Sequence, residues 1–557
     1  MILLSVFLPI LATFVFRDNI FAYGASVSTT AGPAGDIIDT GYAKYLGNRS
    51  YPNTVAYLGV PYAEPPLGNL RFRAPLPLDK ARVSKRSKGK VIDATKNPEF
   101  CIQGSTGSGD AGGAGSEDCL KVNIYAPVGA KSGSNLPVLV YIHGGGYVYG
   151  NPANWPFDHW IAQSPNVVVV SVYYRLSSFG FLAHPSFRDN NGVNGDFNAG
   201  FLDQVEALKW VQENIASFGG NPGKVTINGQ SAGGSSVELH LVANGGGEGG
   251  KLFHQGIAQS VSRAPLPTPE QQEPLFDFYA NFAGCGQGST TAQLACLRTA
   301  SVSALARAQD AGTSGAFTAS GYRGWHPVMD GKVFADFPTK SILAGKFAKV
   351  PLIVGATTNE TGSSGNDITA ALQKSFPSLT TSAASDLISQ YPLKDFAFLP
   401  ALQFQTITGD AELRCARSIL GLADAKSWTY RYNQPTPGAS AVFHAAENWM
   451  MFKGTSTGFN GTTTFQPMSP TDTAFAQELI AYWLSFVRSG DPATFKLERS
   501  PQWQQFTTLS SSRKARIVLQ EGPAGTTDVS RIFSESESDE ETKRCAVVAG
   551  QAGLQQN

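Results

Sequence analysis

Charge is scarce in this chain. Asp, Glu, Lys and Arg make up only 15 % of its 557 residues, and 43 basic residues balance 43 acidic ones. No basic stripe interrupts that balance, which excludes a nucleic-acid partner, because phosphate backbones are held by clustered Lys and Arg. Long apolar runs are equally rare. The run from Met1 to Phe16 falls short of the roughly 20 residues that a membrane-spanning helix needs, and no later stretch is longer, so integral membrane association is not expected. The 6 cysteines and 7 histidines contain no CxxC and no Cys/His spacing that would hold a metal. No repeat is visible. Two nucleotide-site imitations fail on context. Gly107 to Gly112 satisfies GxGxxG with no strand before it, and Gly245 to Lys251 imitates a phosphate loop but has Leu252 where Ser or Thr must hold magnesium. No cofactor is expected.

What is present begins with a leader. The apolar start is followed by Arg17 and Asp18 and then by Ala22, Gly24 and Ala25, which reads as a signal peptide over residues 1–24 and a secreted mature chain. Six cysteines in an exported chain point to disulfides. The two close pairs suggest Cys101 with Cys119 and Cys285 with Cys296, leaving Cys415 for Cys545. Asn48 and Asn460 head glycosylation sequons; Asn359 does too, but beside a residue needed for chemistry. The rest reads as one catalytic domain over 25–545 and a flexible tail over 546–557. Gly104 to Ser116 also reads as flexible, and the acidic run Ser534 to Glu541 as solvated surface.

Strands and helices alternate through the middle. Val138 to Ile142, Val167 to Val172, Val225 to Asn228 and Val350 to Gly355 are apolar runs of the kind found in strands buried on both faces. Apolar residues recur at helical spacing from Phe201 to Ile215 until Gly219-Gly220-Asn221-Pro222 stops them. The fold class is therefore α/β with a central, mainly parallel sheet, whose sites lie at the carboxyl ends of strands.

One such end carries Gly229-Gln230-Ser231-Ala232-Gly233 between a strand and a helix, the form of a nucleophile elbow. A serine hydroxyl needs an imidazole to take its proton and a carboxylate to orient that imidazole. In elbow enzymes the chain order is Ser, acid, His. Glu360 ends the loop that leaves the strand Val350 to Gly355, and His444 is the only histidine after it. The competing pair, His326 with Asp310, lacks a strand-then-loop context. Backbone N–H groups of the loop His143-Gly144-Gly145-Gly146 and of Ala232 would form the oxyanion hole, with His143 shaping the loop rather than moving protons. Glu447 reads as a surface carboxylate or a support for the histidine loop.

Further stretches carry a resemblance. Tyr57-Leu58-Gly59-Val60-Pro61-Tyr62-Ala63-Glu64-Pro65-Pro66, Ser116-Glu117-Asp118-Cys119-Leu120, Tyr174-Arg175-Leu176, Gly180-Phe181-Leu182, Asp203-Gln204, Phe218 to Pro222, Pro327 to Gly331 and Trp483 to Pro492 follow one another in order. With the elbow they resemble the type-B carboxylesterases, the group that includes cholinesterases and large fungal lipases. The resemblance implies an α/β-hydrolase fold with large insertions, a triad of Ser231, Glu360 and His444, and a hole of Gly145, Gly146 and Ala232. It also supports the three disulfides, and it implies pocket walls drawn from insertions that include parts of 310–326 and 390–410. Two departures bear on substrate. Gln230 stands where a Glu is usual, and the segment from Cys101 to Cys119 holds neither a tryptophan for a choline head nor an apolar lid. The reading is a serine carboxylesterase for small, uncharged esters without strong interfacial activation. The alternatives are a lipase or sterol esterase for long acyl chains, and a non-catalytic cholinesterase-like binding protein, although such proteins have usually lost the serine or the histidine.

Overall fold

The computed structural model describes residues 36–49, 51–105, 112–188, 194–318, 321–423, 426–457, 461–507, 514–523 and 529–557. The signal-peptide reading and Asn460 lie outside the described residues. Ten strands form the main sheet: β1 (Thr54–Pro61), β2 (Lys121–Pro127), β3 (Leu136–Ile142), β4 (Val168–Val172), β5 (Gly220–Gln230), β6 (Gln255–Gln259), β7 (Leu352–Thr357), β8 (Ser427–Tyr432), β9 (Ala515–Leu519) and β10 (Phe533–Ser536). Their spatial order is β10-β9-β8-β7-β6-β5-β3-β4-β2-β1. The centre, from β9 to β4, is parallel, and antiparallel strands close both edges. The helices that bear on the site are α1 (Ala199–Asn214), α2 (Ala232–Val242), α3 (Val302–Thr313), α4 (Ala446–Met451), α5 (Pro470–Ser489) and α6 (Asp539–Gly550).

The apolar runs behave as strands covered on both faces must. Val138, Val140 and Ile142 join one hydrophobic cluster and Leu139 and Tyr141 the other, all of them fully buried. Such burial of every position is possible only where helices cover both faces, because side chains alternate along a strand. Register then decides where the loops meet. Ile142 lies opposite Gly229, and Gln259 opposite both Gln230 and Gly355, so β3, β5, β6 and β7 release their chains side by side.

All three expected disulfides are formed: Cys101–Cys119, Cys285–Cys296 and Cys415–Cys545. The last spans 130 residues. In the chain-entropy model its removal costs about 4 to 5 kcal/mol, so a Cys415→Ser, Cys545→Ser chain is expected to melt several degrees lower in a thermal scan. An unchanged midpoint would rule that contribution out.

At the C-terminal side one expectation fails and another holds only in part. The tail after Cys545 is helical rather than flexible: Cys545 lies inside α6, and Gln555, Gln556 and Asn557 are buried. Side-chain hydrogen bonds hold it, from Arg263 to Gln555 and from Thr339 to Asn557, and the Cys415 bridge anchors its base. The acidic run is solvated only in part: Ser534, Ser536, Ser538, Asp539 and Glu540 are exposed, whereas Glu535, Glu537 and Glu541 are not. Glu535 on β10 receives Arg431 and Arg516, while Glu541 receives Arg516 at 2.7 Å and the buried Arg417. Pairing of the edge strand lays Glu535 over its guanidinium partners, and helix α6 carries Glu541 to Arg417 and Arg516, neither of which few-residue patterns reveal. Asn48 is half-buried, and its side-chain amide donates to Thr95 O at 2.9 Å, a bond that a glycan on that nitrogen would have to share.

Candidate active site

β5 ends at Gln230 and the chain turns through Ser231 directly into α2, with φ 59° and ψ −126° at the serine. A backbone held in such a region costs on the order of 1–3 kcal/mol and persists only where the surroundings enforce it. The turn is this tight because its flanks lack side chains: a Cβ on Gly233 would lie 2.1 Å from the carbonyl oxygen of Ile142. Ser260 after β6, Glu360 after β7 and Ala445 after His444 also carry positive φ, of 46°, 59° and 66°. Three non-glycine residues of unusual backbone, Ser231, Ser260 and Glu360, thus stand at neighbouring strand ends, and a fourth, Ala445, follows the histidine.

The Glu360 side chain is fully buried. Its Oε1 accepts from the Ser260 hydroxyl and from the Thr357 N–H, each at 2.7 Å, and its Oε2 accepts from His444 Nδ1 at 2.6 Å. Burial opposes the charge on Glu360, but the adjacent His444 and these hydrogen bonds outweigh it and hold the carboxyl below its ordinary range. The same pair acts on His444. Burial disfavours the imidazolium, yet the Glu360 charge prevails and raises the pKa above the usual 6.5. With 31 % of its side chain exposed, His444 presents its other edge to a cleft of about 360 Å³ that Ser231 also lines.

Gln230 Nε2 lies 3.3 Å from His444 Nε2, and Asn448 Nδ2 donates to Gln230 Oε1 at 3.2 Å. When Gln230 Nε2 is the donor, His444 Nε2 offers its lone pair and the neutral ring carries its proton on Nδ1, so that the hydrogen bonds from Asn448 through Gln230 and His444 to Glu360 run in one direction. The Gln230 contact must yield before the same lone pair can take a serine proton. Asn448 and Ser260 escaped the sequence reading. Asn448 lies on α4, four residues after a histidine that precedes that helix, and Ser260 leaves β6 as Ser231 leaves β5, signals visible only once the strand order is known.

Glu447 is neither at the surface nor ionised in the ordinary way. It is fully buried, accepts from Tyr430 at 3.2 Å, and burial together with the nearby Glu360 charge pushes its pKa up to about 7. His143 stacks between Tyr174 and Trp155 and contacts Gly144 O at 2.8 Å, with burial pushing its pKa down to about 4. It is a neutral loop-shaping ring. The competing pair is not a pair: His326 contacts Pro327 O, whereas Asp310 accepts the backbone N–H groups of Ser105 and Gly112.

Gly145 and Gly146 line the cleft at positive φ, and among the described residues neither their N–H groups nor that of Ala232 donates to a protein acceptor. Such free donors beside a nucleophile can receive a developing oxyanion. The remaining walls include Tyr149, Trp155, Thr436, Pro437, Trp449 and Gln466, and among the described residues no Asp, Glu, Lys or Arg lines the cleft. None of the described residues from 310–326 or 390–410 lines it. Among the described residues no His, Cys, Asp and Glu group is placed to hold a metal, and no helix is long and apolar enough to cross a membrane.

Comparison with known proteins agrees with this geometry. Lipase 5 of Diutina rugosa is 35 % identical over 368 residues, covering 60 % of this chain and 66 % of that enzyme. Cocaine esterase of Homo sapiens is 31 % identical over 492 residues, covering 81 % of each. The chain spans 59 % of the length of Lipase 1 of Geotrichum candidum, again at 35 % identity. The crystal structure of Aspergillus niger EstA superposes with a TM-score of 0.78 and 30 % identity over 94 % of this chain and 99 % of that one, and its fold is the α/β-hydrolase fold. A model of the carboxylesterase family matches residues 34–413, and with the ordered motifs, the elbow and the sheet this places the chain in the carboxylesterase family of α/β hydrolases.

Proposed function

We propose that the protein is a secreted serine carboxylesterase that cleaves small, uncharged esters through an acyl-enzyme. The carrying observation is one cleft shared by a strained elbow serine and the exposed edge of a histidine whose Nδ1 is bonded to a buried glutamate. Ser231 Oγ attacks the ester carbonyl while His444 Nε2 takes its proton, and Glu360 stabilises the imidazolium. The N–H groups of Gly145, Gly146 and Ala232 receive the oxyanion. Collapse expels the alkoxide, which takes the proton back from Nε2, and leaves the acyl group on Ser231. Water, deprotonated by the same nitrogen, then releases the acid.

Because His444 must reach the leaving oxygen, the leaving alcohol lies on the side formed by Ala445, Asn448, Trp449 and Gln466, which carries no formal charge. That supports an uncharged alcohol, and Gln230 removes the anion that a cationic head would seek. Three disulfides and the leader support export into an oxidising compartment. The relatives named as lipases favour a second reading, long-chain acyl esters.

One series separates them: p-nitrophenyl esters from acetate to palmitate, below and above their solubility limits. The expectation is a pre-steady-state burst equal to the enzyme concentration, highest kcat/KM on short acyl chains, and no jump as substrate passes its solubility limit. A sharp rise at that limit supports the lipase reading, and no turnover of any ester removes both.

A further inference from the structure

We propose that Gln103 is a positioning residue for the oxyanion hole, clamping the far end of the glycine turn to the first disulfide; this rests on the serine-esterase reading above. Gln103 is completely buried, and its side-chain amide makes three internal hydrogen bonds that use both of its donors and its carbonyl oxygen. Oε1 accepts the Gly150 N–H at 2.6 Å, while Nε2 donates to Gly150 O at 3.0 Å and to Cys101 O at 2.7 Å. The two bonds to Gly150 form a closed amide-to-peptide pair. Next to it, Gly104 N donates to Val148 O at 2.7 Å.

Gly150 is where the turn that begins at Gly145 ends. Gly145 O accepts from Val148 N and Tyr149 N at 2.9 and 3.1 Å, so residues 145–149 are held as one tight unit whose outer face offers the free N–H groups. That unit has two anchors. His143 and Gly144 hold its entry, with Tyr174 donating to His143 O at 2.8 Å. Gln103 holds its exit, and the exit admits little adjustment: Gly150 sits at φ 136°, where a Cβ would lie 2.3 Å from His143 Nδ1.

The clamp is itself backed. Gln103 N donates to Ala114 O at 2.9 Å and Gly113 N to Gln103 O at 2.8 Å, while Gln309 on α3 donates to Gln103 O at 3.1 Å. Cys101 is bonded to Cys119 two residues before Gln103. The described base of the segment between the first two cysteines therefore frames the hole. A polar side chain with three internal bonds, buried behind a turn that presents catalytic donors, costs desolvation that only precise placement justifies. Donors of this kind act over a few tenths of an ångström, and a misplacement of about 1 Å costs on the order of a hundredfold in rate.

The experiment uses the full-length enzyme with Gln103→Met, of similar shape but without the bonds, and p-nitrophenyl acetate. The readouts are kcat, KM and the inhibition constant of an aryl trifluoromethyl ketone, which adds Ser231 Oγ to its carbonyl and places an oxyanion in the hole. The expected result is a fall in kcat of about 10- to 100-fold, KM within about threefold, and ketone binding weakened by the same factor as kcat. Gln103→Glu is a second variant: protonated, its carboxyl keeps an acceptor and one donor, so its activity relative to the parent is expected to be higher at pH 5 than at pH 8. If the Met variant does not fold, that pH ratio decides. A folded Gln103→Met enzyme with kcat and ketone binding within about twofold of the parent, or a Glu variant with a flat ratio, overturns the clamp alone. A parent enzyme that neither turns over the ester nor binds the ketone overturns the serine-esterase reading, and the clamp with it.

Discussion

Ser231→Ala is expected to lower kcat on p-nitrophenyl butyrate by about a millionfold, the scale seen when the nucleophile of an acting triad is removed. The size follows from the loss of the covalent route: with no Oγ, acylation cannot occur, and what persists is the contribution of the oxyanion donors and substrate binding, roughly 10³–10⁴ over water. The burst should vanish with turnover. Because Ser231 is held at an enforced backbone conformation, alanine there changes one atom and leaves the elbow intact. Binding of a non-hydrolysable ester analogue should therefore be preserved. An alanine enzyme with more than a few per cent of parental activity would show that another group attacks the ester.

Glu360→Gln should be the next most damaging change, with kcat reduced by about 10⁴-fold. Two effects combine. An amide can donate toward Nδ1 and so favours the tautomer that places the proton on Nε2, where the base must be free. It also removes the charge that stabilises the imidazolium in the transition state. The pH profile carries a separate signature. In the parent, Glu360 raises the His444 pKa above 6.5, so kcat/KM falls as pH drops through that raised value and the base becomes protonated. Without the carboxylate, burial dominates and lowers the pKa, so the acid limb of the residual activity should move to lower pH. A limb that stayed in place would mean that a different group, such as the buried Glu447, sets it.

The parts of the site that were legible in the sequence are those with local signatures. The elbow advertises itself through glycines around a serine after an apolar run, and Glu360 through a loop that leaves a strand. His444 was found by order along the chain. The strands β3 and β4 were legible to within two residues because they are covered on both faces and read as unbroken apolar runs, whereas β5 begins at Gly220, inside the stretch read as a helix stop. The acidic run at the C-terminal side was misread in part for want of its partners. Glu535 and Glu541 look like solvated charge in any short window, and only the pairing of β10 with β9 brings Arg431 and Arg516 to Glu535, and the seating of α6 brings Arg417 to Glu541. Glu447 misled in the same way, because a carboxylate three residues beyond the histidine has no local mark of its burial.

By itself, then, the chain determined the fold class, the close disulfide pairs, and which serine, glutamate and histidine could act in which order, because each is written in spacing, in strand-to-loop context or in the simple scarcity of alternatives. Tertiary structure alone decided the rest. The Gln230–His444 contact joins residues 214 apart and the Gln103–Gly150 pair residues 47 apart. Such contacts are set by strand register and by where loops land across the sheet, and neither leaves a periodic trace in the residues themselves.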